Sequence, residues 1–124
     1  MKKPTRKAVV KAADDWFSKY IRLRDIKEYV LCPFCKKNYI DNCFHFFSRK
    51  MYATRWDELN SIGSCRGCNM LMEFSPYQFY KWFADHYGQF ALDQLHEKHK
   101  SKVKMSTAEI VAIADKYKKM YEEL

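Results

Sequence analysis

Four cysteines in two Cys-x-x-Cys pairs, Cys32/Cys35 and Cys65/Cys68, frame a segment that contains His45 and Asn60 and is followed at once by Asn69. Two such turns brought together supply four thiolates, the ligand set of a tetrahedral structural zinc site with Zn–S bonds of about 2.3 Å. The same cysteines could instead pack as small apolar residues or pair as disulfides. Matched spacing, in a chain expected to stay where thiols remain reduced, favours Zn2+. The 29 residues between the pairs exceed the roughly 15 to 20 of a simple zinc ribbon, so the metal must hold something larger. The fifth cysteine, Cys43, reads as a small apolar strand residue.

A hairpin followed by a helix would place His45 on a strand, Asn60 in the connecting loop and Asn69 at the start of the helix that carries the second pair. Phe44, Phe46 and Phe47 leave His45 as the polar member of its run, and by itself a histidine so placed is ordinarily a packed, hydrogen-bonded core residue. Its unperturbed pKa of about 6.5 nevertheless suits a group that takes a proton from water near neutral pH.

The segments Cys32-Pro-Phe-Cys35, His45-Phe-Phe-Ser-Arg49, Thr54-Arg-Trp-Asp-Glu-Leu-Asn60 and Cys65-Arg-Gly-Cys-Asn69 together resemble the phage NinG (Rap) recombination endonuclease family, a group of HNH-like zinc-containing nucleases. The flanks, Arg22-Leu-Arg-Asp25 at the end of the first helix and Tyr87-Gly88 with Ala91-Leu-Asp-Gln-Leu95 after the second pair, extend the likeness over about residues 7 to 124. The resemblance implies a ββα-metal centre that cuts DNA with one divalent cation, Mg2+ or Mn2+. The substrates it implies are branched recombination intermediates such as Holliday junctions or D-loops, and the further partners are recombination proteins. In that reading His45 is the general base, Asn69 supplies an oxygen ligand to the cation, and Asn60 bonds backbone groups so that His45 points at it.

Two positions depart from the family's pattern. NinG-like sequences carry an Asp three residues ahead of the histidine, where this chain has Asn42; Asp41, one residue further back, would reach the cation if the strand contains a bulge, or would simply open the hairpin as a turn residue. A histidine that relatives often have shortly after the Asn is replaced by Ile62. A catalytically inactive, zinc-dependent DNA-binding accessory protein is therefore the alternative reading, and an RNA-directed enzyme with the same centre a third.

Around this centre the elements follow from periodicity and capping. Val9, Ala13, Trp16, Tyr20 and Leu23 recur at three- and four-residue steps and predict a helix over about residues 5 to 29 with that face inward. Tyr39-Ile40 and Phe44 to Phe47 read as short β structure. Ser75 as N-cap, Pro76 at the first helical position and Gln78 closing a capping box predict a helix that presents Phe79, Trp82, Phe83 and Tyr87 and ends at Gly88. Those aromatics fit core packing better than stacking on exposed bases. A shorter helix over about 89 to 98 buries Leu92 and Leu95, and a last helix opens with the capping box Ser106-Thr-Ala-Glu109 and turns Ile110, Ile113, Tyr117 and Met120 inward.

Charge points the same way as the resemblance without deciding it. Lys and Arg exceed Asp and Glu by eight, and a tetrathiolate zinc site would reduce this to about +6. Such a surface attracts phosphate backbones in a salt-dependent manner, although lysine-rich helices are also merely solvated. The candidate DNA contacts are Arg49, Lys50, Arg55 and Arg66 near the centre, and Lys98, Lys100, Lys102 and Lys104 in what reads as a basic linker beginning at His96. His96 and His99 read as exposed bystanders, and Arg49 and Arg55 could alternatively pair with Asp57 or Glu58. No secretory signal follows Met1-Lys-Lys-Pro-Thr-Arg-Lys7 and no long apolar run occurs, so a cytoplasmic location, in the bacterial host if phage-encoded, and no membrane partner are expected. Two cuts at a four-way junction would call for a homodimer, though no coiled-coil heptad is legible. The expected fold is thus α+β and mostly helical, a single domain of 124 residues with an N-terminal helical part (1–31), the zinc-stapled module (32–74) and C-terminal helices (75–124).

Overall fold

The computed structural model describes residues 3–124. It is α+β and mostly helical: α1 (Arg6–Tyr29), β1 (Asn42–His45), α2 (Tyr52–Arg55), a 3₁₀ turn (Glu58–Asn60), β2 (Ser61–Ser64), α3 (Arg66–Leu71), α4 (Tyr77–Tyr87), α5 (Gln89–His99) and α6 (Thr107–Glu123). Thr5 begins α1 by accepting the Ala8 N–H on its side chain at 3.1 Å, and Ser106 and Glu109 form the expected reciprocal capping box on α6 at 3.1 Å in both directions. The Ser75 box does not form. Ser75 instead donates its N–H to the Leu71 carbonyl at 2.8 Å, which continues the turn out of α3, so α4 starts after Pro76 with no side-chain cap.

β1 and β2 pair antiparallel, Asn42 opposite Ser64, Cys43 opposite Gly63, Phe44 opposite Ile62 and His45 opposite Ser61. Successive strand side chains point to opposite faces, and the two faces bury into different cores. Phe44 and Ile62 join Phe46, Phe79, Phe83 and Leu95 against α4 and α5, with Phe34 packed on them. Cys43 packs on the other core, which α1 and α6 build from Val9, Ala13, Phe17, Tyr20, Ile21, Ile110, Ala114 and Tyr117, with Trp56 from the segment between the strands. Strand structure stops at His45, so Phe46 and Phe47 lie beyond it, and Tyr39 contributes a single bridge to Leu31. Val9, Ala13 and Tyr20 of α1 are buried as expected, but Phe17 and Ile21 take the centre of its inward face while the expected Trp16 and Leu23 are only half-buried. The reason is that α1 covers α6 on one side and the hairpin on another, so its buried stripe is wider than a single seam.

The closest approach of α1 to the hairpin is polar. Asp25, 3 % exposed, accepts the Gly63 N–H at 2.6 Å and both arms of Arg24 at 2.8 and 3.0 Å, while Arg24 also donates to the Ser61 carbonyl at 3.1 Å. A Cβ at position 63 would lie 2.7 Å from Ile40 Cγ2 and 3.0 Å from Asp25 Cβ, so glycine is what lets α1 come this near. Removing one partner of a buried ion pair leaves the other charge uncompensated. Asp25→Ala is therefore expected to lose about 3 kcal/mol of unfolding free energy, read from urea denaturation of the metal-loaded protein.

Candidate functional site

The four cysteine sulfurs converge as the spacing predicts. All lie within 4.8 Å of one another, and Cys35 Sγ and Cys65 Sγ are 3.8 Å apart, which is the edge expected of a tetrahedron of sulfurs about 2.3 Å from a central ion. The first pair sits in a small loop clamped by Cys32 N–H on the Asn38 carbonyl and Lys36 N–H on the Cys32 carbonyl, each 2.8 Å. Lys36 takes a positive φ of 58° to close it. The second pair opens α3, where Cys65 is the N-cap and its sulfur accepts the Cys68 N–H at 3.4 Å. The N–H groups of Lys37 and Asn38 hold the Cys35 thiol down at about 6, whereas burial pushes Cys32 and Cys68 up. Four thiols crowded within 4.8 Å of one another repel as thiolates, and burial already opposes ionisation of Cys32 and Cys68. The donor set fits a divalent soft-to-borderline cation such as Zn2+, which stabilises thiolates outright.

Beside the hairpin lies a cleft of about 520 Å³ whose wall includes His45, Asn69, Asp41 and Asn42, together with Arg49 and Arg55 and, from α1, Asp14, Ser18 and Arg22. The sequence-predicted His45, Asn69 and Asp41 are thus brought to one cavity. Asp41 reaches it without a bulge: the register is regular and the Asp41 N–H bonds the Ser64 carbonyl at 3.0 Å, and alternation puts residues 41, 43 and 45 on one face. Its carboxylate accepts the Asn42 side-chain amide at 2.7 Å. Ile62, by contrast, is 1 % exposed in the core on the opposite face.

Asn60 is fully buried at the end of the 3₁₀ turn rather than in an open loop. Its amide accepts the Phe47 N–H at 2.8 Å and donates to the carbonyls of Phe47 and Thr54 at 3.0 and 3.1 Å. This ties the chain leaving β1 to the segment returning to β2.

His45 is half-buried over Phe17, ring centroids 6.1 Å apart. Its Nε2 lies 3.2 Å from the Arg55 carbonyl. A carbonyl only accepts, so Nε2 carries the hydrogen and Nδ1 keeps its lone pair. Burial first, and then the positive charge of Arg49, push its pKa down to about 4, so the imidazole is neutral at physiological pH.

Of the candidate DNA contacts only Arg49 and Arg55 line the cleft. Arg55 is paired with Asp14, Nε to Oδ1 at 3.0 Å and Nη2 to Oδ2 at 2.6 Å, rather than with Asp57 or Glu58, and Arg49 Nη1 stands 3.9 Å from the same carboxylate. Lys50 and Arg66 are exposed outside it. Lys98 lies within α5 and bonds Asp57 at 2.6 Å, and Lys100 caps that helix and bonds Glu97 at 3.1 Å. Lys102 and Lys104 are exposed in the connection that remains. His96 is exposed as expected but stacks on Phe47 at 5.2 Å, and His99 is no bystander: half-buried, it stacks on Phe47 at 5.2 Å and its Nδ1 shares a hydrogen with the buried Thr54 hydroxyl at 3.0 Å.

Arg22, which the sequence places among the α1 cations able to touch phosphates, also lines the cleft, whereas Asp14, Ser18 and Glu73 were passed over. The signal for Asp14 and Ser18 was present, since with Arg22 they stand at steps of four along α1 and form a stripe beside its apolar face; nothing local marks Glu73. No family model, curated protein or solved structure matches the chain, and the likeness to the NinG family rests on the motifs alone.

Two measurements follow from this geometry. Purified protein should carry one zinc per chain by elemental analysis, and Cys68→Ala should abolish it and lower the unfolding midpoint by about 10 °C or more. The His45 ring should titrate near pH 4 by NMR. Because its folded pKa lies below the unfolded value of about 6.5, the stability it contributes is complete above that value and is lost as pH falls towards 4, by about 2–3 kcal/mol. His45→Gln should flatten that slope.

Proposed function

We propose that this protein is a metal-dependent endonuclease of the HNH type that hydrolyses DNA phosphodiester bonds, with branched recombination intermediates as substrates. The observation that carries the reading is the convergence of His45, Asn69 and Asp41 on one cleft, with His45 on β1, Asn60 just before β2 and Asn69 in α3, next to the second cysteine pair. That order agrees with the ββα-metal expectation drawn from the motifs. The preference for branched DNA rests on the resemblance to the NinG family.

In this mechanism Cys32, Cys35, Cys65 and Cys68 would hold a structural Zn2+, which would tie the start of the hairpin to the start of α3. Asn69 and Asp41 present the oxygen donors that would hold Mg2+ or Mn2+, hard cations that favour oxygen ligands; such a cation supplies Lewis acidity at the phosphate and its leaving oxygen. His45 takes the proton from the attacking water at Nδ1, the nitrogen its Arg55 contact leaves free. A base already neutral at pH 7 needs no prior deprotonation. Asn60 keeps the loop that carries the Arg55 carbonyl in register with β1, and Arg22 and Arg49 supply positive charge along the cleft for the phosphate backbone.

Incubating a labelled four-way junction and a linear duplex with wild-type and His45→Ala protein, with Mg2+, Mn2+ or EDTA, tests the reading. The expected result is junction cleavage that requires the cation and falls by about 10²–10⁴ in the variant while junction binding is retained. Zinc-loaded, folded protein that binds the junction and cuts nothing under either cation would make this chain a DNA-binding accessory protein instead.

A further inference from the structure

The contact that fixes His45 is itself held by a residue on another element. His45 Nε2 donates to the carbonyl of Arg55, and that carbonyl belongs to the peptide joining Arg55 to Trp56. Both side chains of this dipeptide are gripped by Asp14 of α1: Arg55 donates Nε to Oδ1 at 3.0 Å and Nη2 to Oδ2 at 2.6 Å, and Trp56 donates Nε1 to Oδ1 at 3.0 Å. From the far side Tyr117 of α6 donates its hydroxyl to the Trp56 carbonyl at 3.3 Å. The guanidinium of Arg55 also donates Nη1 to the Arg49 carbonyl at 2.9 Å, which closes the turn in front of the cleft.

We infer that Asp14 is a positioning residue for His45, setting through Arg55 and Trp56 the orientation of the carbonyl that selects the Nε2–H tautomer and so leaves the lone pair on Nδ1. The inference rests on the nuclease reading for its catalytic consequence, but not for its structural one. Three charge-assisted or buried hydrogen bonds converge on a single half-buried carboxylate, more than a surface ion pair needs. A two-pronged guanidinium–carboxylate pair fixes direction as well as distance. The peptide cannot swing without breaking it, because its other end is tied to α6. Rotation of the carbonyl would let the imidazole take the opposite tautomer or turn its ring, and His45 would then present an N–H rather than a lone pair to the attacking water. The inference also reassigns Arg55, whose guanidinium is engaged inside the protein, from phosphate contact to support of the base.

The test compares wild type with Asp14→Asn, which preserves size and removes the charge, and Arg55→Lys, which keeps a cation but loses the fork and leaves Asp14 with Trp56. Zinc content and circular dichroism report folding, and Arg55→Lys carries the test alone if Asp14→Asn does not fold. Nitrogen-15 chemical shifts of the His45 ring, which report the tautomer directly, are expected to show a pure Nε2–H form in wild type and a mixture of tautomers in both variants. On the junction substrate kcat is expected to fall by about 10²-fold, the scale of a 1 Å misplacement, with KM unchanged within about twofold. Neither variant should lower the residual rate of His45→Ala further.

A folded variant that keeps the pure Nε2–H form overturns the inference, as does a rise in KM with kcat unchanged, which would make the pair a DNA contact. If wild type itself cuts nothing, the nuclease reading fails while the tautomer measurement still decides the role of Asp14.

Discussion

Everything in the cleft depends on holding a hairpin of two four-residue strands in place, and such a hairpin is at best marginally stable by itself. The four-cysteine cluster is the constraint that does this. One pair lies just before β1 and the other begins at the residue after β2, so a metal joining them closes the open end of the hairpin and fixes the direction in which α3 leaves. Asn69 follows the last ligand directly, and Asp41 lies between the first pair and His45; both are therefore placed by the same bond network that stabilises the fold.

The hairpin's sidedness then divides labour. Its apolar face feeds Phe44 and Ile62 into the aromatic core of α4 and α5, where large rings meet in edge and tilted contact. The opposite face carries Asp41, Cys43 and His45 towards α1. Gly63 and the Asp25–Arg24 pair let α1 approach this face closely, and the approach brings the polar stripe of Asp14, Ser18 and Arg22 over the cleft. A longer side chain at position 63 would lift α1, and with it the support for the segment carrying Arg55.

How much of this was legible in the sequence follows the range of the interactions involved. The four-cysteine cluster could be read because each pair's spacing encodes its turn locally, as could the start of α1 at Thr5 and the capping box of α6. Asn60 could be read as a tie because an amide in a connecting loop can bond neighbouring backbone groups, but its burial could not. Interactions between distant elements could not. The inward face of α1 turned out to be set by two partners at once, which no single-helix periodicity contains. Asp25, Asp14 and His99 look like surface residues until the elements that complete their bonds, β2, the segment after α2 and Thr54, are packed against them. Asp41 was expected to need a bulge, whereas it lines the same cleft as His45 beside a hairpin of regular register.

The charge of the cleft bears on how a nucleic acid would be received there. The chain as a whole is strongly basic, yet the cleft wall carries Asp14, Asp41 and Glu73 beside Arg22, Arg49 and Arg55. The Arg55–Asp14 pair cancels internally, so an incoming phosphodiester would meet Asp41 and Glu73 as well as the remaining arginines. A site that bound phosphate by guanidinium alone would gain from losing those carboxylates, since each repels the backbone across a few ångströms. Carboxylates become an advantage only when a divalent cation stands between them and the phosphate, attracted to both. Under the proposed nuclease reading those carboxylates would face a divalent cation rather than the phosphate itself, and the lysines outside the cleft would supply the general attraction to a nucleic-acid backbone without competing for the reacting group.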